Sequence, residues 1–231
     1  MPKYHMEKLI CKNCQLKTEY QQWDNVNGLE NPIQKAEILA GSFYSVICSH
    51  CKEKIELEHS CLYSDYKLGF LIYYSPNFEE QTFEKILSAE KRIDYKKLKL
   101  RLAIDFLDFR EKIRILEDGF DDRALELAKT MIVSNIFENS QLELSRILYH
   151  SKNEQDNMLA FALVLKDKTI KLIKIPETFY VNFANMITEL KLVDSEGIFE
   201  TIDTNWALNL VTSEGNNKND KGNKKEVKHA E

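Results

Sequence analysis

Two C-x-x-C pairs, Cys11-Lys12-Asn13-Cys14 and Cys48-Ser49-His50-Cys51, constrain this chain more than any other feature. A C-x-x-C turn can aim two thiolates at one ion, and two such turns complete a tetrahedral four-sulfur shell with no open position. The pairs are 33 residues apart, more than the roughly 15–20 usual between the halves of a zinc ribbon. The residues between them account for the excess. Asn31 to Ala40 reads as a helix, with Asn31 able to cap, Pro32 suited to the first helical position and Gly41 to the C′ position. A helix can be inserted between two knuckles without moving either. The expected cofactor is one structural zinc ion held by Cys11, Cys14, Cys48 and Cys51.

Other uses of these cysteines fit less well. A thioredoxin-like redox site places one C-x-x-C at a helix start after a strand, whereas Cys48 to Cys51 lies between expected strands and the second pair would be idle. A zinc deaminase needs H-x-E and then P-C-x-x-C. His5-Met6-Glu7 matches the first half, but Ile47 stands where proline is required. The spacing also matches neither common ferredoxin pattern. His50 and His59 lie near the pairs and are expected to be hydrogen-bonded or solvent-facing, because four thiolates already fill the shell. Cys61 reads as a buried small hydrophobe. An odd count of five cysteines, with no apolar signal core in Met1 to Ile10, favours metal binding in a reducing compartment. The cytoplasm is the expected location. No apolar run nears the roughly 20 residues that span a bilayer, so no membrane partner is expected.

The rest of the chain reads as α+β. Strand-like pieces at Phe43 to Ile47, Lys54 to Glu58, Cys61 to Tyr63 and Phe70 to Tyr74 surround the helix, the last two as a hairpin turning near Gly69. This suggests a zinc-ribbon-like antiparallel β unit with an inserted helix, over residues 1–90. A short helix is expected within Asn77 to Lys91. The second region, 91–211, opens with Lys96 to Ile104, whose alternation puts Leu98, Leu100 and Leu102 on one face and Lys97, Lys99 and Arg101 on the other. A helix pair follows, one capped by Asp105 and ending at Gly119, the next capped by Asp121 or Asp122. Ile147 to His150, Met158 to Leu165 and Thr169 to Ile175 read as an antiparallel meander, although Ser140 and Glu143 could instead cap a short helix. Pro176 opens a helix with Tyr180, Phe183, Ile187 and Leu190 on one side. A short strand near Ile198 to Ile202 and a helix near Asn205 to Val211 complete the region. Residues 212–231 are Asn, Lys, Glu and Gly with almost nothing apolar, a composition expected to stay disordered.

Several segments together resemble the CpXC domain of bacterial and archaeal proteins. They are the two C-x-x-C turns, Asn31-Pro32, Gly41-Ser42-Phe43, Leu62-Tyr63-Ser64-Asp65, Phe70-Leu71-Ile72-Tyr73-Tyr74 with Pro76, and Glu111-Lys112-Ile113. Glu117-Asp118-Gly119-Phe120-Asp121-Asp122-Arg123, with Glu126 beyond it, is similar to the family's most recognisable segment after the cysteines. The resemblance runs from about Cys11 to about Met131, and is weaker in the meander and at Trp206. The family is named for a proline after the first cysteine of each pair; Lys12 and Ser49 stand there instead. Gln15 and Lys52 replace the glycine that often follows such a turn. The resemblance implies the fold and the zinc. The family itself is functionally uncharacterised, so no reaction is implied.

Charge and motif content narrow the function. With 32 Lys and Arg against 37 Asp and Glu, the formal net charge is −5, which argues against a generally basic nucleic-acid coat. A local basic face of Lys97, Lys99 and Arg101 is the candidate interaction surface, either solvated, protein-contacting or phosphate-contacting. Asp118, Asp121 and Asp122 cluster at a helix start, where capping and the helix dipole explain acidic residues. The aromatic stripe of Phe179, Tyr180, Phe183 and Met186 is expected in the core. Phosphate-loop, dinucleotide, zincin and nucleophile-elbow motifs are missing. The expected function is a non-enzymatic zinc-binding protein-interaction module, an accessory subunit of a larger cytoplasmic assembly. A nucleic-acid-binding zinc ribbon using residues 91–101 is the alternative, and an enzyme with a site assembled in the second half is another.

Overall fold

The first cysteine pair sits in the turn of a long antiparallel hairpin, β1 (Lys3–Ile10) and β2 (Lys17–Asn27). The sequence reading did not anticipate this hairpin, because β1 is solvated on both faces over residues 4–8 and lacks an apolar alternation. The chain is described by a computed structural model over residues 3–77, 94–139 and 142–213. The segment expected as a helix within Asn77 to Lys91, Ser140, and the tail beyond residue 213 lie outside the described residues, Asn77 aside. The chain divides into two units, Met1–Gly119 with Val193–Glu200, and Phe120–Leu192 with the chain from Thr201.

In the first unit, β2 leads into α1 (Pro32–Ala40). The start of α1 uses asparagine differently from expectation. Asn31 makes no side-chain cap bond to the helix; its Oδ1 accepts the Asn27 amide at 2.9 Å. Asn27 in turn accepts the Leu29 and Glu30 amides, so a turn closed by two asparagine side chains delivers Pro32 to the first helical position. Gly41 ends α1 at φ 87°, in the left-handed region where glycine carries no Cβ penalty.

The chain then forms a small hairpin, β3 (Ser45–Ile47) and β4 (Lys54–Glu56), whose turn carries the second cysteine pair. β5 (Cys61–Asp65) and β6 (Phe70–Tyr74) follow, turning at Gly69 as expected. A 3₁₀ turn (Tyr95–Lys97) enters β7 (Lys99–Ala103), and α2 (Phe106–Glu117) follows. The main sheet has the order β1-β2-β5-β6-β7. It is mixed rather than purely antiparallel, because β2 pairs with β5, and β6 with β7, in parallel. Each parallel pair joins strands separated by a long stretch of chain, residues 28–60 between β2 and β5 and 75–98 between β6 and β7.

Every residue of β5 and β6 is buried, which explains why Phe70 to Tyr74 is apolar without alternation. One face packs Leu62, Leu71, Tyr73, Leu100 and Leu102 against Phe199. α2 packs over β6 and β7, with Phe109 meeting Tyr63 and Tyr74. Asp105 caps α2 as expected, accepting the Leu107 amide at 2.8 Å. The expected break near residue 90 falls inside this unit: β7 cannot be separated from β6, and the unit runs to Gly119.

The expected basic face on β7 is corrected by the same packing. Arg101 is fully buried, with Nη2 2.6 Å from Asp194 and Nη1 3.2 Å from Glu200. Lys97 lies in the 3₁₀ turn and pairs with Asp94 at 3.2 Å, while Lys99 is half-buried at the start of the strand. Residues 193–200 return to the open edge of β7, where Leu102 donates to the Glu200 carbonyl and Glu200 to that of Leu100. The alternation that set Arg101 apart from the leucines is real; its face, shared with Tyr63, Ile72 and Tyr74, is the one α2 packs on, and the segment 193–200 supplies carboxylates to it from the edge of β7.

The second unit begins with Phe120 and α3 (Asp122–Asn139), then the meander β8 (Leu144–Asn153), β9 (Met158–Leu165) and β10 (Ile170–Pro176). All its pairings are antiparallel. From Leu144 onward the strand prevails over the competing helix. α4 (Glu177–Glu189) and a helix over 204–213, α5, complete the unit. Ala124, Leu127, Ile187 and Ala207 form its helical core, with Tyr180, Phe183 and Trp206 against it.

Candidate metal centre

Both knuckles are built to one pattern. In the first, the Cys11 amide donates to the Leu16 carbonyl at 3.0 Å and the Gln15 amide to the Cys11 carbonyl at 2.9 Å. In the second, Cys48 donates to Glu53 at 2.8 Å and Lys52 to Cys48 at 3.1 Å. Each turn needs its fifth residue in the left-handed region, and Gln15 (φ 61°) and Lys52 (φ 65°) occupy it without being glycine. Their side chains fold back alike: Gln15 Nε2 donates to the Lys12 carbonyl at 2.9 Å, and Lys52 Nζ to the Ser49 carbonyl at 3.1 Å. These bonds offset part of the roughly 1–2 kcal/mol that a side chain in this conformation costs.

The two knuckles bring all four sulfurs within 4.8 Å of one another. Cys11 faces Cys51 at 3.6 Å, and Cys14 faces Cys48 at 3.7 Å. A tetrahedron with metal–sulfur bonds of about 2.3 Å has sulfur–sulfur edges of about 3.8 Å, so the spacing fits an ion at the centre. All four cysteines are free thiols, with Cys11 and Cys48 buried and Cys14 and Cys51 partly so. Among the described residues this is the group of cysteine, histidine and carboxylate side chains able to hold a metal ion.

Protons are unequally shared in this cluster. The Cys51 amide and then the Thr18 hydroxyl lower the Cys48 thiol to about 5. At Cys14 the Leu16 amide pulls down, but burial and the three facing sulfurs raise the thiol to about 12. Of the facing sulfurs, Cys48 is thus one whose charged form its backbone and Thr18 favour. A soft divalent cation at the centre would take the place of the remaining protons.

The neighbouring residues fall as the sequence suggests. His50 Nε2 donates to the Lys17 carbonyl at 3.1 Å, away from the sulfurs. His59 Nδ1 donates to the Ser60 carbonyl at 3.1 Å and packs edge-on to Tyr44. Cys61 is fully buried on β5, and burial pushes its thiol up. A family comparison now decides the identity: the model of the CpXC protein family matches residues 9–129, just over half of the 231-residue chain. The chain belongs to the CpXC family. No curated protein and no solved structure matches it.

This CpXC protein lacks the prolines of the family name, and Ser49 puts the difference to use. Its amide donates to the Thr18 hydroxyl at 3.4 Å, a bond no proline could make. Thr18, which sequence reasoning missed, is 2% exposed and donates to Cys48 Sγ at 3.3 Å. Only recognition of the β1–β2 hairpin could have signalled it, as a lone buried hydroxyl just past the first knuckle.

In the matched segment after the cysteines, Glu117, Asp121 and Arg123 make structural contacts. Glu117 accepts from the Tyr63 hydroxyl and pairs with Lys35 at 2.7 Å. Asp121 takes the Arg123 amide at 2.9 Å and the Arg123 guanidinium at 2.7 and 3.0 Å. Asp121 is therefore the cap of α3. Arg123 also reaches the Leu192 carbonyl at 3.1 Å. These charges serve caps and ties.

Proposed function

We propose that this CpXC protein binds one zinc ion as a structural element and acts as a non-enzymatic protein-interaction module, an accessory subunit of a larger assembly in a reducing compartment. The observation that carries the reading is the closed cysteine tetrahedron. Four sulfurs fill the shell and leave no position for a water or substrate. Such a site holds chain segments together. It does so here where they are weakest, since β3 and β4 share only three paired positions and a hairpin of that size is marginal alone. The soft, all-thiolate donor set favours zinc among common divalent ions. Five free cysteines suit a reducing compartment such as the cytoplasm, and no helix among the described residues is long and apolar enough to cross a membrane.

Protein is the favoured partner over nucleic acid, because Arg101 is spent inside the fold and Lys97 is paired with Asp94. The test is metal analysis of the native protein together with mass determination of the complex recovered from its own cells. One zinc per chain with stoichiometric protein partners is expected. Co-purifying nucleic acid, lost steeply with added salt, would replace the protein-module reading. Reduced, metal-replete protein without zinc would overturn the site.

A further inference from the structure

Thr18 poses a question the four ligands do not answer. Along the first half of β2 its neighbours Lys17 and Glu19 are exposed, yet Thr18 is buried. Burying a hydroxyl is costly unless both its donor and acceptor capacity are used. Here both are used by the second knuckle: the O–H points to Cys48 Sγ at 3.3 Å, and the oxygen accepts from the Ser49 amide at 3.4 Å. A residue on the strand leaving the first knuckle thus holds a ligand of the second. The arrangement is one-sided. Thr18 stands seven residues after Cys11, and the matching position after Cys48 is Ile55, which has no hydroxyl. The two knuckles share their backbone bonds, but only Cys48 receives a side-chain hydroxyl across the site.

We propose that Thr18 is a positioning residue of the metal centre: its hydroxyl fixes the direction of the Cys48 thiolate before the metal arrives and so raises metal affinity. The inference rests on the zinc reading above. A β-branched side chain suits the task, since its χ1 freedom is small and the hydroxyl is held before metal arrives. Groups that hydrogen-bond to metal ligands typically change affinity by roughly 10–100-fold when removed. The loss here is expected in that range and to be specific to the hydroxyl.

The test compares wild type, Thr18→Val, which keeps the shape, and Thr18→Ser, which keeps the hydroxyl. Zinc affinity is read by chelator competition, and the sulfur environment by the cobalt(II) thiolate charge-transfer band. Thr18→Val is expected to weaken zinc by roughly 10–100-fold and to move the band to lower energy, because a thiolate without its hydrogen bond is the stronger electron donor. Thr18→Ser is expected to restore both. Wild-type protein that binds no metal overturns the zinc reading itself. Wild type that binds one ion while Thr18→Val matches it in affinity and band position overturns the role of Thr18 alone. Should Thr18→Val fail to fold, cadmium-113-loaded wild type carries the test: a through-bond correlation from the metal to the Thr18 hydroxyl proton supports the proposal, and its absence with that proton resolved overturns it.

Discussion

At the scale of single residues, each cysteine of the two C-x-x-C pairs is predicted to matter through the ion and each tight glycine through its lack of a side chain. Cys48→Ser removes the sulfur held by both the Cys51 amide and Thr18. It is expected to lower zinc content and melting temperature together, because metal binding and folding of a small site are one equilibrium. A mutant with an unchanged zinc-to-protein ratio would remove Cys48 from the shell. Gly28 makes a different prediction. A Cβ there would overlap the Tyr63 hydroxyl and lie 2.9 Å from its Cζ, with Glu117 Oε1 at 3.3 Å. Tyr63 is fully buried and bonded to Glu117, so it cannot swing aside. Gly28→Ala should therefore destabilise by about 1–3 kcal/mol in urea titration. An unchanged midpoint would mean that the β2–α1 turn yields more readily than the packing implies.

At the scale of elements, β3 and β4 are expected to depend on the proposed ion and β7 on its buried arginine. The β3–β4 hairpin holds three paired positions, extended by the Leu57 amide donating to the Tyr44 carbonyl at 2.7 Å. Chelation of the metal is expected to deprotect the amides of this hairpin first in hydrogen exchange, while β5 and β6 stay protected by burial on both faces. Simultaneous loss of protection in both would contradict this order. Arg101→Ala leaves Asp194 and Glu200 without their cation beside a buried void, and should cost about 3 kcal/mol, the lower end for a broken buried pair because both carboxylates keep some solvent. A loss below about 0.5 kcal/mol, the range of a surface substitution, would return Arg101 to a solvated face. These two elements also show what was legible in the sequence. The knuckles, α1 with its proline and glycine, the Asp105 cap and the meander all rest on local chemistry, and local chemistry is written in local residues. The clustering of the four cysteines was legible for the same reason. Thr18 was not, because its burial depends on a partner 30 residues away. Arg101 was misread for the same cause at longer range: alternation assigns a residue to a face, and only the elements that pack there, α2 over the face and the returning segment along its edge, determine whether it meets water.

At the scale of the whole molecule, the chain leaves the cysteine-bearing unit at Gly119 and comes back to it for a single stretch, Val193–Glu200. That stretch contains no cysteine and is short, yet it supplies two carboxylates to Arg101, two backbone bonds to β7 and Phe199 against Tyr73. Without it the β7 edge would expose unpaired amides and carbonyls and Arg101 would lose the carboxylates of Asp194 and Glu200, a combination that invites edge-to-edge aggregation. Its contribution can be isolated by comparing two shortened chains, one ending at Glu200 and one ending at Leu192. Both lack α5, so the loss of Trp206 and Ala207 from the second unit's core is common to them. Only the shorter chain lacks the returning segment. It is expected to melt at lower temperature than the longer one, to lose exchange protection along β7, and to aggregate at lower denaturant, while the cysteines of both chains remain intact in sequence. Equal melting and equal protection of the two chains would mean that the β5–β6 core and α2 hold the sheet unaided, and that residues 193–200 merely lie along an edge that is already stable.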